Sequence, residues 1–76
     1  MSDAKHLGQL DVGESAVLGE IQLPEAAAMR LQELGLLPGA SIRLVRRAPL
    51  GCPLEVEVAG ARLAIRVSDA DQIFVQ

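Results

Sequence analysis

The spacing of apolar and polar residues changes along the chain, and each change predicts a structural element. Leu54, Val56 and Val58 alternate with Glu55 and Glu57, and Leu63, Ile65 and Val67 alternate with Arg62, Ala64 and Arg66. A period of two places one set of side chains on each face of a strand, so both runs read as half-buried strands. If Ala59-Gly60 is a two-residue turn, Val58 faces Ala61, Glu57 faces Arg62, Val56 faces Leu63 and Leu54 faces Ile65. That register collects the apolar residues on one face and sets opposite charges against each other on the other. A slip of one residue would place Glu57 against an apolar side chain, so the pairing is well specified. Upstream, Ile42 and Leu44 alternate with Arg43 and Val45 and predict a strand from Ala40 to about Arg47. The Pro- and Gly-containing segment Ala48-Pro-Leu-Gly-Cys-Pro53 then reads as a loop.

Between Pro24 and Leu34 the period is helical. Pro24 opens the segment at the first helical position, Glu25 complements the positive end of the helix dipole, and Ala26-Ala27-Ala28 has high helix propensity. Ala27, Leu31 and Leu34 fall at i, i+4 and i+7 and form one apolar stripe. Gly35 supplies the left-handed residue that closes the helix, and Pro38-Gly39 adds a turn just beyond it. Before the helix, Ser15 to Gln22 reads as a strand whose uneven pattern and central Gly19 predict a bulge. Residues 1–6 read as a mobile lead-in, and Leu7 to Leu10 as a short helical turn or irregular segment followed by the turn residues Asp11 and Gly13. Near the other end, Ser68-Asp-Ala-Asp71 predicts a turn and Gln72 to Val75 a last short strand. The whole is a mainly β chain of about five strands with one inserted α-helix, spanning 1–76 as a single domain. Closing so short a sheet into a small barrel would remove its open edges.

Composition narrows the function classes. At 76 residues the chain has room for one core, because domains of this size bury only about 60% of the surface that the unfolded chain exposes. The net charge of -3 is opposite in sign to the footprint that phosphate neutralisation needs, and with no Trp, no Tyr and one Phe there are no rings for bases to stack on. Nucleic acid is therefore not an expected partner. The single Cys52 cannot form an internal disulfide, and Met1-Ser-Asp-Ala-Lys-His6 is not followed by the apolar stretch of a signal peptide. Both point to a cytoplasmic protein. No apolar run approaches the ~20 residues that cross a bilayer, so direct membrane insertion is not expected either.

Reactive groups are sparse. His6 is the only histidine and sits in the lead-in, so no triad or general base can be assembled around it. One Cys and one His far apart do not make a closed soft-metal site, and Asp69 and Asp71 occupy an ordinary turn sequence. There is no phosphate-binding loop and no dinucleotide fingerprint, so neither an enzyme nor a cofactor-binding protein is expected. More informative are apolar residues for which the core has no evident use. Met29 lies off the helix stripe, Leu37 follows the helix cap, and Leu50 occupies the tip of a loop bounded by Pro49 and Pro53. With Gly51, Cys52 and the flanking Arg30 they form a candidate partner-binding rim, since an exposed apolar patch usually marks a contact surface. The alternatives are that these side chains cap the barrel core and that Arg30 merely pairs with Glu33 at i+3 on the helix surface.

Several of these segments together resemble a known family. Arg30-Leu-Gln-Glu-Leu-Gly-Leu-Leu-Pro-Gly39, Ile42-Arg-Leu-Val45, Ala48-Pro-Leu-Gly-Cys-Pro-Leu54 and Leu63-Ala-Ile-Arg66 are similar to ferrous iron transport protein A, FeoA, and the resemblance covers Leu7 to Val75. It implies an SH3-like β-barrel with an inserted helix. It also implies an accessory role for the membrane ferrous iron transporter FeoB, which carries a GTP-binding domain. A similar domain ends iron-dependent repressors of the diphtheria toxin repressor type, but no helix-turn-helix precedes it here, so the free-standing form is the better match. Two roles follow from the resemblance. One is a protein-binding module that docks on the GTP-binding domain or the membrane portion of FeoB, with room for weak homo-oligomers; the other is a small Fe²⁺ carrier that delivers metal to it.

Overall fold

The alternating segments become the centre of a single sheet. The computed structural model describes residues 5–76. In chain order its strands and helices are β1 (Lys5–His6), β2 (Ser15–Ile21), α1 (Glu25–Glu33), β3 (Ser41–Arg47), β4 (Leu54–Val58), β5 (Ala61–Ile65), α2 (Val67–Ala70) and β6 (Ile73–Val75), with a 3-10 turn at Leu7–Gln9. The six strands lie in the order β1-β6-β2-β3-β4-β5, and every neighbouring pair is antiparallel. The β4–β5 hairpin has the predicted register, from Leu54 opposite Ile65 to Val58 opposite Ala61. Its turn holds both central residues at positive φ, Ala59 at 53° and Gly60 at 79°, the twist that a two-residue turn needs to match its flanking strands.

One core serves the whole sheet. Leu18 of β2, Ile42 and Leu44 of β3, Leu54, Val56 and Val58 of β4, Ile65 of β5 and Ile73 of β6 are all buried in one cluster, together with Leu7, Leu10 and Leu36 from the connections. A six-stranded sheet with a single buried cluster must curl around it, and the result is the SH3-like fold that the resemblance implies. The barrel does not close, however. β1 and β5 are the two ends of the strand order and do not pair, so the sheet keeps the edges that closure would have removed.

Three sequence expectations change. Lys5–His6 is not a mobile lead-in but a strand, paired through Lys5 with Val75 and through His6 with Phe74; residues 1–4 lie outside the described residues. This raises the strand count from five to six, and the cause is the tertiary pairing with β6, to which two bonds nearer in sequence add. Gln9 Oε1 accepts from the His6 backbone N–H at 2.9 Å, and Lys5 Nζ donates to Glu14 Oε2 at 3.0 Å. Val67 does not extend the preceding strand; it begins α2, the single helical turn that replaces the expected bend at Ser68–Asp71. Pro24 stands just outside α1 with extended ψ of 147°, so the helix starts one residue later than expected. Other features are as anticipated, including the bulge in β2, where the register against β6 shifts between Leu18 and Ile21. A second irregularity, between Leu44 and Arg46 in β3, has no glycine to announce it.

Arg47 anchors the amino-terminal segment to the sheet. Its Nη2 donates to the carbonyl oxygens of Gly8 at 2.8 Å and Leu10 at 2.9 Å, which are otherwise at risk of going unpaired where a short 3-10 turn ends. Glu14 makes a second tie. Its carboxylate accepts from the Asp11 backbone N–H at 2.8 Å and from Lys5, in that order of importance, and both hold its pKa below the ordinary 4.5. A group depressed in the folded state contributes stability above its unfolded pKa and loses it as pH falls through the folded value. The wild-type protein should therefore lose stability as pH drops below about 4.5, and Glu14→Gln should flatten that part of the profile, as read from denaturation midpoints at stepped pH. Equal slopes for the two proteins would remove Glu14 from the account.

Candidate docking surface

Helix α1 leaves much of itself uncovered, and its closure shows why. Gly35 takes φ of +106°, its N–H donates to the Gln32 carbonyl at 3.0 Å, and the Leu36 N–H donates to the Leu31 carbonyl at 3.0 Å. This is the paired bonding of a Schellman cap, which reverses the chain with a left-handed residue. The reversal sends Leu36 into the core with no exposed surface and leaves Leu37 49% exposed. Gly35 also permits a close approach, because a Cβ there would lie 3.1 Å from the Ala59 Cβ in the β4–β5 turn. No residue of α1 is fully buried. Ala27 and Leu31 are half-buried, but Leu34, expected to complete their stripe, is 47% exposed because the cap begins there and turns the chain away.

The half-buried side of α1, where Leu31 packs against the core cluster, forms one wall of a cleft. Leu23, Ala27 and Leu31 supply its apolar lining together with Pro24 and Ala26, and Arg30 from α1 and Asp69 from α2 bring opposite charges to it, around a space of about 380 Å³. Arg30 makes no ion pair with Glu33 among the described residues, so the simple helix-surface pair is not the arrangement found. Met29 lies elsewhere. At 100° per residue it sits roughly 160° around the helix from Leu31, on the solvent side, and is 53% exposed.

The predicted rim is divided by the fold. Leu37 precedes β3 and Leu50 follows it, and the seven residues of that strand separate the two by roughly 20 Å of extended chain. The contact of Gly35 with Ala59 places the helix end beside the β4–β5 turn, whereas the loop at 48–53 enters the opposite end of β4. Leu37 thus lies toward the turn end of the hairpin and Leu50, Gly51 and Cys52 toward the other, while Arg30 stands at the cleft beside Asp69 and Met29 on the solvent side of the helix. The predicted strand from Ala40 to about Arg47 already implies this separation, and grouping the residues by their closeness to turn glycines and prolines overlooks it. The loop is held by bonds of its own, Gly51 N–H to the Ala48 carbonyl at 2.7 Å and Ala48 N–H to the Pro53 carbonyl at 3.0 Å. It presents Leu50 almost wholly to solvent, 96% exposed, beside the exposed free thiol of Cys52.

The charged face of the sheet also differs from expectation. Glu57 does stand opposite Arg62 in register, yet its carboxylate meets Arg43 of β3 at 3.5 Å. Glu55 likewise meets Arg46 at 3.1 Å. The neighbour on the other side of β4 competes for each carboxylate, a partner that hairpin reasoning alone does not consider. Ser15, Ser41, Arg43 and Glu57 line a shallow polar hollow of about 500 Å³ near the β4–β5 turn, with Arg43 and Glu57 neutralising each other across it. Among the described residues no three His, Cys, Asp or Glu side chains converge as a metal-binding group. His6 Nδ1 is buried without a hydrogen-bond partner, 3.7 Å from Asp71 Oδ1, and the ring stands edge-on to Phe74 with centroids 6.5 Å apart. No helix among the described residues is long and apolar enough to cross a membrane.

Comparison with known proteins assigns this architecture. The FeoA domain model matches residues 5–76. A FeoA protein from Chlorobium tepidum, solved in solution, is 37% identical, superposes with a TM-score of 0.90, and is matched over 93% of this chain and 68% of its own. A FeoA crystal structure from Stenotrophomonas maltophilia, complexed with zinc and described as a prokaryotic SH3 domain protein, is 38% identical with a TM-score of 0.82, over 96% of this chain and 91% of that one. A manganese-dependent transcriptional repressor shares the fold alone, at 16% identity and a TM-score of 0.84, with 99% of this chain covering 42% of that one.

Proposed function

The chain belongs to the FeoA domain family, associated with ferrous iron transport, and from that premise we propose that it is a cytoplasmic protein-binding module. It docks on the membrane ferrous iron transporter FeoB and assembles or regulates it, while the transporter performs the chemistry. The observation that carries this reading is the incomplete cover of α1: a nine-residue helix with no fully buried side chain, bordering an apolar cleft that Arg30 and Asp69 also line. An isolated helix this short is only marginally stable, and helices of globular proteins are held mainly by packing of an apolar face. Leu31 supplies part of that packing against the core, and a second protein inserting an apolar side chain between α1 and α2 would complete it. Arg30 would orient a carboxylate of the partner through charge-assisted hydrogen bonds, and Asp69 a cation beside it. Leu37, just past the cap, adds an exposed apolar side chain toward the β4–β5 turn, while Leu50, Gly51 and Cys52 form a separate contact of the same kind at the other end of the hairpin.

Affinity capture distinguishes the parts. The immobilised protein should retain the full transporter, and parallel capture of the isolated GTP-binding domain shows whether that domain is the contact. Arg30→Glu should lower retention about tenfold, the equivalent of losing one charge-assisted contact. Failure to retain either form, with the protein shown to be folded, would end the docking proposal.

A further inference from the structure

β5 is an edge strand bonded to β4 alone, and its turn determines which of its backbone groups remain unused. A two-residue turn of the Ala59-Gly60 kind is closed by hydrogen bonds between its flanking residues, here Val58 and Ala61. Bonded and non-bonded pairs then alternate along an antiparallel ladder. Val56 with Leu63 and Leu54 with Ile65 are therefore bonded pairs, whereas Arg62 and Ala64 turn their N–H and C=O groups away from β4. Among the described residues no turn or loop backbone bonds to either of them, and both are exposed.

The side chains on this edge share one charge. Arg62 and Arg66 project to the exposed face, and Arg66 is still extended, with φ of -65° and ψ of 146°. Neither pairs with a carboxylate among the described residues, whereas Arg43 and Arg46 do and Arg47 is committed to two carbonyls. We propose that β5 accepts an extended acidic segment of a partner protein as an added strand, bonded to Arg62 and Ala64 through the backbone and to the Arg62 and Arg66 guanidinium groups through carboxylates. Strand addition draws affinity from main-chain bonds and specificity from alternate side chains, and the alternation here is explicit. An antiparallel newcomer would place carboxylates four residues apart, opposite Arg62 and Arg66. Apolar residues opposite Leu63 and Ile65 would point to the side on which Ile65 is buried. Pairing of β5 with a second copy about Ala64 would oppose Arg62 to Arg66, and like charges directly across a ladder repel, whereas an acidic segment meets both arginines with opposite charge.

The test uses the full isotope-labelled chain and two nine-residue peptides, one centred on Glu-Val-Thr-Val-Glu and the other with both Glu replaced by Lys. The acidic peptide should slow amide exchange at Arg62 and Ala64 about tenfold. In the double variant Arg62→Glu with Arg66→Glu, preference should reverse toward the Lys peptide. Ala64→Pro deletes one outward N–H without touching the β4 ladder, a placement that edge strands tolerate, and should abolish binding of the acidic peptide. If Ala64→Pro does not fold, the charge reversal decides alone. The proposal is overturned if the Arg62 and Ala64 amides of the free protein exchange as slowly as that of Leu63, if both peptides bind the wild type equally, or if sedimentation shows a dimer broken by Ala64→Pro. None of these readouts involves α1, so the result is independent of the docking surface proposed above.

Discussion

Leu37→Glu is expected to abolish transporter-dependent iron uptake in cells while leaving the purified protein folded. Leu37 is about half exposed, beyond a cap whose bonds use backbone groups only, so a carboxylate there meets water rather than the core. Surface substitutions of this kind usually stay within about 0.5 kcal/mol, which for a domain of this size moves Tm by no more than about 4 °C. Its effect on a docked complex is different in kind, because an unpaired carboxylate forced into an apolar contact costs several kcal/mol on the general scale for buried charge. Leu50→Glu asks the same question of the loop at the far end of β3. If only Leu37→Glu abolishes uptake, the helix end is the contact; if both do, the partner spans the length of the hairpin. Normal uptake with both variants folded would move the contact off these residues, and the charged hairpin face of Glu55, Glu57, Arg62 and Arg66 would be the next surface to vary.

At the adjacent position the outcome should invert. Leu36 is completely buried, and Leu36→Ala should cost about 2–5 kcal/mol, the range for deleting a core leucine and leaving a cavity. Total stability for a chain of 76 residues is on the order of 4–11 kcal/mol, so this one substitution should remove a large share of it. Urea titration with an unchanged slope and a shifted midpoint would give the loss directly. A cost below about 1 kcal/mol would mean that the region collapses to fill the space. In that case Leu36 would not be the residue that ties the helix cap to the core. Because the two leucines are neighbours, the pair of variants also separates loss of function by unfolding from loss of function by lost contact.

Much of this architecture could be read from the chain. Strict alternation over Leu54–Val58 and Ala61–Ile65, with Ala59-Gly60 between them, admits one register, since any slip drives glutamate into the core. Gly35 likewise marks the helix end, because few other residues take φ near +106° without strain. The resemblance at Arg30–Gly39 and the loop leading into the hairpin identified the family over nearly the whole chain. What local pattern could not supply was anything dependent on a partner remote in sequence. Lys5–His6 is a strand only because Val75 and Phe74 lie beside it, and nothing in two polar residues encodes that.

The candidate site shows the same division. Exposure at Met29, Leu37 and Leu50 was legible, since each sits outside the apolar periodicity that the core uses. The separation of Leu37 from Leu50 was legible too, since the strand predicted between them sets its ends roughly 20 Å apart; what was not legible was where the helix side chains come to rest. The cleft that joins Arg30 to Asp69 depends on α2 replacing a turn and coming to rest near α1. Equally, Glu57 took Arg43 rather than Arg62 because β4 has a neighbour on each side, which left Arg62 unpaired on an open edge. Helix α1, strands β2 to β5 and the β4–β5 register are set by interactions within a few residues or across one tight turn, so the sequence by itself determined them. Surfaces are set by which segments meet after the sheet curls around its core, and only the tertiary structure decided those.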